Sequence, residues 1–444
     1  MTAAALLRRP MTRGVAVLAV LGAVGIGLIA YRFWAGLGAV TNLSDGYPWG
    51  LWIGIDILVG IALAAGGFVL AGTVHILGGH RFHPLSRPAI LTAFLGYLLF
   101  ISALMVDLGR PWNIWKALIN WNHASPMFEV SWCVTFYTFV LALEFTPAVL
   151  ERFRQGRLLR LFHDVVPFVI VAVLSLFTYA MTDSLAWVAV IAAVLLGWEA
   201  LMRTGVMRRD RQMPVLLIMA GIMLSTLHQS SLGTLFLITD KLGPLWYTPM
   251  LPLLFFLSAL MVAPAMVIVE ATLSARVLRH EPETRLLDTL GRAMPYLIVT
   301  YLLVRVADML GRGVVLEAMR GFWPTVWWWL EIFLLLTAVA LFATAEFRRR
   351  RWGLALASWA TVLGLVVHRI GVAVVGLDVP EYPRYVPHVA ELLITAGIVS
   401  LGLLAFRIAV AVLPVYETHA TPTAPDVPPA AAPPERALAT VSPA

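Results

Sequence analysis

The residues most able to do chemistry lie in one run, Ser225-Thr-Leu-His228-Gln229-Ser230-Ser231-Leu-Gly233, inside an apolar segment from about Pro214 to Ile238. Read as a membrane-spanning helix rising ~1.5 Å per residue, this segment carries His228 roughly 21 Å from its start, near the middle of a bilayer. An imidazole, an amide and two hydroxyls at that depth are costly unless each finds a partner. Bonds to backbone carbonyls and neighbouring helices would satisfy them with no further role. The imidazole favours the other reading, a proton- or ligand-handling site in a bundle interior.

Other ionisable residues in apolar segments are candidates by the same reasoning. Asp56 falls in the outer third of the second segment and Tyr97 near the middle of the third. Glu129 opens the fourth, where a carboxylate would also suit the positive end of the helix dipole. Glu270 falls in the inner third of the eighth; a boundary carboxylate reaching for headgroups is its alternative. Asp107 and Arg110 close the third segment on the outer side, with a simple mutual pair as the alternative to a functional role. Arg305, Asp308, Glu331, His368, Arg369 and Glu391 occupy outer halves of later segments and read first as structural ion pairs. Arg305 and Asp308, three apart on one helix face, predict a local pair. A b-type haem needs two imidazoles at matched depth on facing helices. His228 and His368 are the only deep histidines and no segment carries two, so no haem is expected. Cys133 is the one cysteine, which excludes an intrachain disulfide and a four-cysteine iron–sulfur cluster held by this chain alone.

The elements that must position these residues follow from composition. Hydrophobic residues fill 60% of 444 positions and charged ones 13%, too little charge to cover a soluble domain of this size. The apolar runs last about 20 residues, which suits helices and not the short alternating strands of a barrel. The fold class is all-α, a polytopic transmembrane helical bundle. About twelve spans are predicted: 14–34, 50–75, 87–107, 127–149, 163–182, 186–203, 214–238, 250–273, 291–311, 325–345, 353–376 and 388–412. Arg8, Arg9 and Arg13 before Gly14–Ala30 resemble a signal peptide, but the run is too long and lacks a clear small-x-small cleavage site, so a retained first helix is expected.

The net charge of +7 comes from arginines in short loops, a topology signal and not a nucleic-acid surface. The amino terminus (1–13) and the loops with Arg81/Arg87, Arg152–Arg160, Arg208–Arg211, Arg276–Arg285 and Arg348–Arg351 all fall on one side. Both termini are therefore expected in the cytoplasm of a bacterial inner membrane. The longest outer loop, 108–126, carries Trp112, Trp115 and Trp121 and suits a short interfacial helix or an aromatic belt. The transmembrane domain would run over 14–413, followed by a Pro/Ala-rich cytoplasmic tail, 414–444, expected to be disordered. No P-loop and no GxGxxG after a strand is present, so nucleotide-driven transport has no support.

Several short stretches taken together resemble the NrfD-like, polysulfide-reductase type of membrane subunit, and most of all its hydrogenase-type members. They are Gly46-Tyr-Pro-Trp-Gly-Leu-Trp-Ile, His83-Pro-Leu-Ser-Arg-Pro-Ala, Leu95-Gly-Tyr97, Asp107-Leu-Gly-Arg110 with Trp112-Asn113, Phe128-Glu129, Ala142-Leu-Glu144-Phe, Leu227-His228-Gln-Ser-Ser-Leu-Gly and Val269-Glu270. The resemblance implies a quinone-reactive subunit without haem. A periplasmic, ferredoxin-like iron–sulfur subunit would dock outside and carry electrons between catalytic subunits and menaquinone or ubiquinone. It also implies quinone binding by Asp56, Tyr97, Glu129 and His228, and proton transfer through Tyr97, Glu129, His228 and Glu270. Hydrogenase-type relatives usually look ten-spanning, so residues 163–213 are expected to add a helical hairpin. A proton-coupled secondary transporter is the rival from another class, but such proteins often pair Gly/Pro-broken helices in inverted halves, and no convincing pair is visible.

Overall fold

A chain surrounded by hydrocarbon must satisfy its backbone internally, and runs of about 20 apolar residues do so as helices. The computed structural model of the chain describes residues 12–76, 79–204, 215–278, 284–321 and 323–416. Among them are twelve helices long and apolar enough to cross a membrane. They are α1 (Arg13–Ala35), α2 (Trp52–Val74), α3 (His83–Asp107), α4 (Pro126–Arg152), α5 (Gly156–Thr182), α6 (Leu185–Arg203), α7 (Leu216–Ile238), α8 (Leu251–Val277), α9 (Thr284–Arg312), α10 (Trp323–Ala343), α11 (Arg351–Val375) and α12 (Val389–Val412). Each expected span is present, and the protein is a multi-pass membrane protein. The first residues, the Arg208–Arg211 loop and the tail from 417 onward lie outside the described residues.

The helices pack as two rings of four with one connectivity. In the first ring α2 packs on α3, α3 on α4, α4 on α7 and α7 back on α2. In the second, α8 packs on α9, α9 on α10, α10 on α11 and α11 back on α8. Five spans lie between α2 and α8 and three between α7 and α11, odd numbers in each case, so corresponding helices cross the membrane in the same direction. Helix α8 also packs against α2 and α7 and joins the rings. Glycine permits part of that junction, because a Cβ at Gly233 would lie 2.7 Å from the Pro252 backbone. A similar device brings α1 onto α12, where a Cβ at Gly25 would lie 2.7 Å from Gly397 Cα. The α5–α6 hairpin turns at Asp183, in left-handed conformation with φ 50°, and α5 leans on the first ring through α4 and α7.

Three local expectations are corrected or refined. Asp107 and Arg110 form no ion pair; the positive neighbour of Asp107 is Arg32 of α1, whose Nη2 donates to Leu108 O at 2.5 Å. Arg305 does not pair with Asp308. Arg305 reaches across to Glu331 of α10 at 2.7 Å, and Asp308 takes Arg312 one turn further on at 2.8 Å. Helix phase explains the exchange, since an i,i+4 arginine reaches Asp308 while Arg305 faces the ring interior. The 108–126 loop holds two single turns, Pro111–Asn113 and Lys116–Ile119, in place of one interfacial helix. Trp112 and Trp115 are exposed there, as interfacial residues would be.

Candidate functional site

Helix α3 brings Tyr97 and helix α7 brings His228 to the centre of the first ring. Both side chains are fully buried, and the Tyr97 hydroxyl lies 2.9 Å from His228 Nδ1. Tyr137 of α4 stands edge-on to Tyr97 with ring centroids 4.7 Å apart, and Phe100 packs against both Tyr97 and His228. The Ser225 hydroxyl, nearly one turn before His228 on α7, lies beside both phenols. Four buried polar atoms here have no hydrogen-bond partner among the described residues: His228 Nε2, Tyr137 Oη, Ser225 Oγ and Gln229 Oε1. Buried polar groups are rarely left so, and a cluster of them marks a place where a ligand, a water or a proton is handled.

The neighbouring polar residues behave differently. Ser231 donates to Leu227 O at 2.7 Å, the local satisfaction that an inert hydroxyl in a membrane helix would find. Gln229 Nε2 donates to Ile61 O at 3.1 Å and ties α7 to α2. The run at 225–233 therefore splits by helix face. One side does packing work, and the other presents His228 and Ser225 to the ring centre.

Tyr97 and His228 are the only expected site residues that touch. Asp56 sits in the π-helical start of α2 and accepts from Thr395 of α12 at 2.8 Å. Glu129 lies half-buried at the first turn of α4, without a hydrogen bond or ion pair among the described residues. Glu270 of α8 is buried and accepts from the Tyr416 hydroxyl at 2.6 Å, just past the last helix. Burial, then the neighbouring Glu270, push the Tyr416 hydroxyl above the ordinary phenol range, so it stays a donor.

Sequence reasoning passed over Tyr137 and gave Glu144, quoted only within a family-like stretch, no role of its own. Glu144 lies seven residues after Tyr137, on the same face of α4, and is buried with no hydrogen bond or ion pair among the described residues. A Cβ on Gly221 of α7 would lie 3.2 Å from its Oε1 and 3.6 Å from Tyr137 Cε2. The spacing Glu129, Tyr137, Glu144 on an otherwise apolar helix was the available signal.

The second ring holds its own cluster. Arg305 Nη1 lies 2.7 Å from Tyr301 Oη, 2.7 Å from Glu331 Oε1 and 2.6 Å from His368 Nδ1. Tyr301 also donates to Glu331 at 2.8 Å and approaches His368 Nδ1 at 3.3 Å. The expectation of structural ion pairing among these residues accounts for Arg305 with Glu331 but not for the histidine and tyrosine beside them.

The family model described as "Polysulphide reductase, NrfD" matches residues 39–238 and 198–380. The chain belongs to the NrfD family. The first matched stretch contains α2 to α7 and the second α7 to α11, so each ring of four falls within one stretch. Across the rings, Tyr97 with His228 and Tyr301 with His368 repeat one motif, a phenol from the second helix on Nδ1 of a histidine from the fourth. The chain is 33% identical over 427 residues to a protein of Nitratidesulfovibrio vulgaris, covering 92% of this chain and 96% of that one. It is 30% identical over 394 residues to the "Probable Ni/Fe-hydrogenase 2 b-type cytochrome subunit" of Escherichia coli, covering 87% and 88%. Over a shorter stretch of 140 residues, 31% of this chain and 32% of the other, it is 39% identical to the "Menaquinone reductase, integral membrane subunit" of Nitratidesulfovibrio vulgaris.

Proposed function

We propose that this NrfD-family chain is the quinone-reactive membrane subunit of a respiratory oxidoreductase complex, with menaquinone or ubiquinone as substrate. The buried Tyr97–His228 pair, with Nε2 left unengaged, is the observation that carries the reading. The names of the hydrogenase and menaquinone reductase relatives support it. The quinone pocket lies towards the outer half, bordered by the helices that bear Asp56, Tyr97, Glu129 and His228, which are the four members of the first ring.

In this reading Tyr97 fixes the orientation of the imidazole through Nδ1 and leaves Nε2 to meet a quinone oxygen. Converting a quinone to a quinol takes two electrons and two protons. The electrons come from a periplasmic iron–sulfur partner, since one buried cysteine gives this chain no cluster of its own. One proton passes from His228 Nε2 to a quinone oxygen, and the Tyr97 hydroxyl replenishes the ring at Nδ1 and is itself reprotonated along the inward path. Glu129 delivers the second proton to the other oxygen. The reverse sequence serves quinol oxidation. Tyr137 and Ser225 then extend the polar path inward, towards either Glu144 on α4 or Glu270 on α8, with waters bridging gaps wider than one hydrogen bond.

The reading is haem-free. An axial imidazole needs an open nitrogen facing a macrocycle and a second ligand beyond it. His228, its Nδ1 taken by Tyr97, stands in the first ring and His368, its Nδ1 taken by Arg305, in the second, so the two deep imidazoles do not share a ring. The arginine-rich loops face the cytoplasm of a bacterial inner membrane, with both termini, and the 108–126 loop faces the periplasm. The hairpin added within 163–213 is α5 with α6. Of the expected 414–444 tail, Val415 is buried and Tyr416 bonds Glu270, and residues from 417 onward lie outside the described residues. Affinity purification of the tagged chain from membranes, followed by mass spectrometry, tests the assembly. An iron–sulfur protein and a redox catalytic subunit are expected; their absence from an intact preparation would contradict the reading.

A further inference from the structure

In the second ring the outer ends of α8, α9 and α11 enclose a small recess with the 242–250 connection. Trp246, Thr248, Leu254, Arg305, Asp308 and His368 are among its walls, and the cavity volume is about 10 Å³. That is room for a single small species. Arg305 and His368 are almost wholly buried, at 3% and 2% exposure. Arg305 Nη2 and His368 Nε2 have no hydrogen-bond partner among the described residues.

The chemistry of the occupant follows from hydrogen positions. Arg305 Nη1 shares its two hydrogens among Tyr301 Oη, Glu331 Oε1 and His368 Nδ1. A nitrogen 2.6 Å from this donor-only group has no room for a hydrogen of its own, so Nδ1 is the accepting nitrogen. The neutral ring then carries its hydrogen on Nε2. Both unengaged atoms, Arg305 Nη2 and His368 Nε2, are therefore donors. The carboxylate on the wall is already committed: Asp308 Oδ1 accepts from Thr248 at 2.6 Å and Oδ2 from Arg312 at 2.8 Å.

Charge points the same way. Arg305 is balanced by Glu331 and Arg312 by Asp308. Arg369, adjacent to His368 in sequence, is fully buried and has no carboxylate partner among the described residues. It donates to Ser258 Oγ at 2.9 Å and Phe255 O at 3.1 Å, and stacks 3.5 Å from the Phe255 ring centre. The cluster thus holds one buried positive charge in excess, an expensive condition inside a membrane unless an anion lies nearby.

We propose that this recess binds one small monovalent inorganic anion of chloride size, held by Arg305 Nη2 and His368 Nε2–H. The site belongs to the second ring and does not depend on the quinone reading of the first. The probe is chloride with the full-length chain in detergent, compared with gluconate at equal ionic strength. Wild type should broaden the chloride-35 NMR line beyond the nonspecific level, and its thermal midpoint should be raised by roughly 2–4 °C in chloride at concentrations well above Kd. In His368→Phe both effects should vanish. Anomalous scattering from crystals soaked in bromide should show a peak between Arg305 and His368, a measurement that stands even if the variant does not fold. No excess broadening and equal midpoints in wild type would overturn the proposal and leave a water as the occupant. Broadening retained in a folded His368→Phe, or a bromide peak only elsewhere, would overturn it as well.

Discussion

Replacing Tyr97 by Phe removes one oxygen from the centre of the first ring and little else. The phenyl ring can keep its edge contact with Tyr137 at 4.7 Å and its packing on Phe100, so no cavity opens. What is lost is the only hydrogen bond that holds His228 Nδ1, made at 2.9 Å between fully buried groups. An unsatisfied buried polar atom costs about 1–3 kcal/mol, and interhelical bonds in membranes average nearer ~0.6 kcal/mol, so the stability loss should be about 1 kcal/mol. Loss of a proton-transfer group, by contrast, costs about 10²–10⁴-fold in rate. The two effects separate cleanly. In membranes, Tyr97→Phe should leave the chain folded and assembled, with the complex reducing an artificial acceptor normally. Its quinone-linked rate should fall about a hundredfold or more. Quinone turnover close to wild type would refute a chemical role for the pair and reduce the hydrogen bond to packing.

Two further predictions bear on the proton path and the topology. In proteoliposomes, Glu144→Gln and Glu270→Gln should slow quinone turnover unequally. The variant on the true inner branch should also lose the response to membrane potential, which is worth about 2.3 kcal/mol per charge per 100 mV. Wild-type behaviour in both would end the inward route at Tyr137. Single cysteines placed in 108–126 and in 348–351, in a background without Cys133, should be labelled by an impermeant reagent on intact cells only in the first loop. The opposite pattern would invert the topology.

The twelve spans were legible because apolar length is a direct consequence of bilayer thickness, whereas their ends were not. Helix α9 begins at Thr284, seven residues before the expected 291, because Asp288 pairs with Arg292 and Arg348 and keeps a polar turn helical. Helix α5 similarly carries Arg157 and Arg160 on an exposed first turn. Depth arithmetic brought Tyr97 and His228 to one level, and they do touch. Depth alone says nothing of azimuth, which is why Asp56 turns out bonded to Thr395 and Glu270 to Tyr416. Glu391 shows the same limit. It closes a capping box at the start of α12 with His388 and accepts from Tyr385, a partner 376–388 did not advertise. The repeat of two rings is not legible as paired broken helices in inverted halves, because these halves run parallel and the α5–α6 hairpin interrupts the first.

The most direct test of the central claim is quinone-dependent turnover of the isolated complex with His228→Gln. Glutamine keeps a polar side chain of similar reach but cannot pass a proton between two ring nitrogens. The account predicts that electron transfer from the native donor to an artificial acceptor continues while reduction or oxidation of a menaquinone or ubiquinone analogue nearly ceases. Quinone turnover matching wild type in that variant would contradict it.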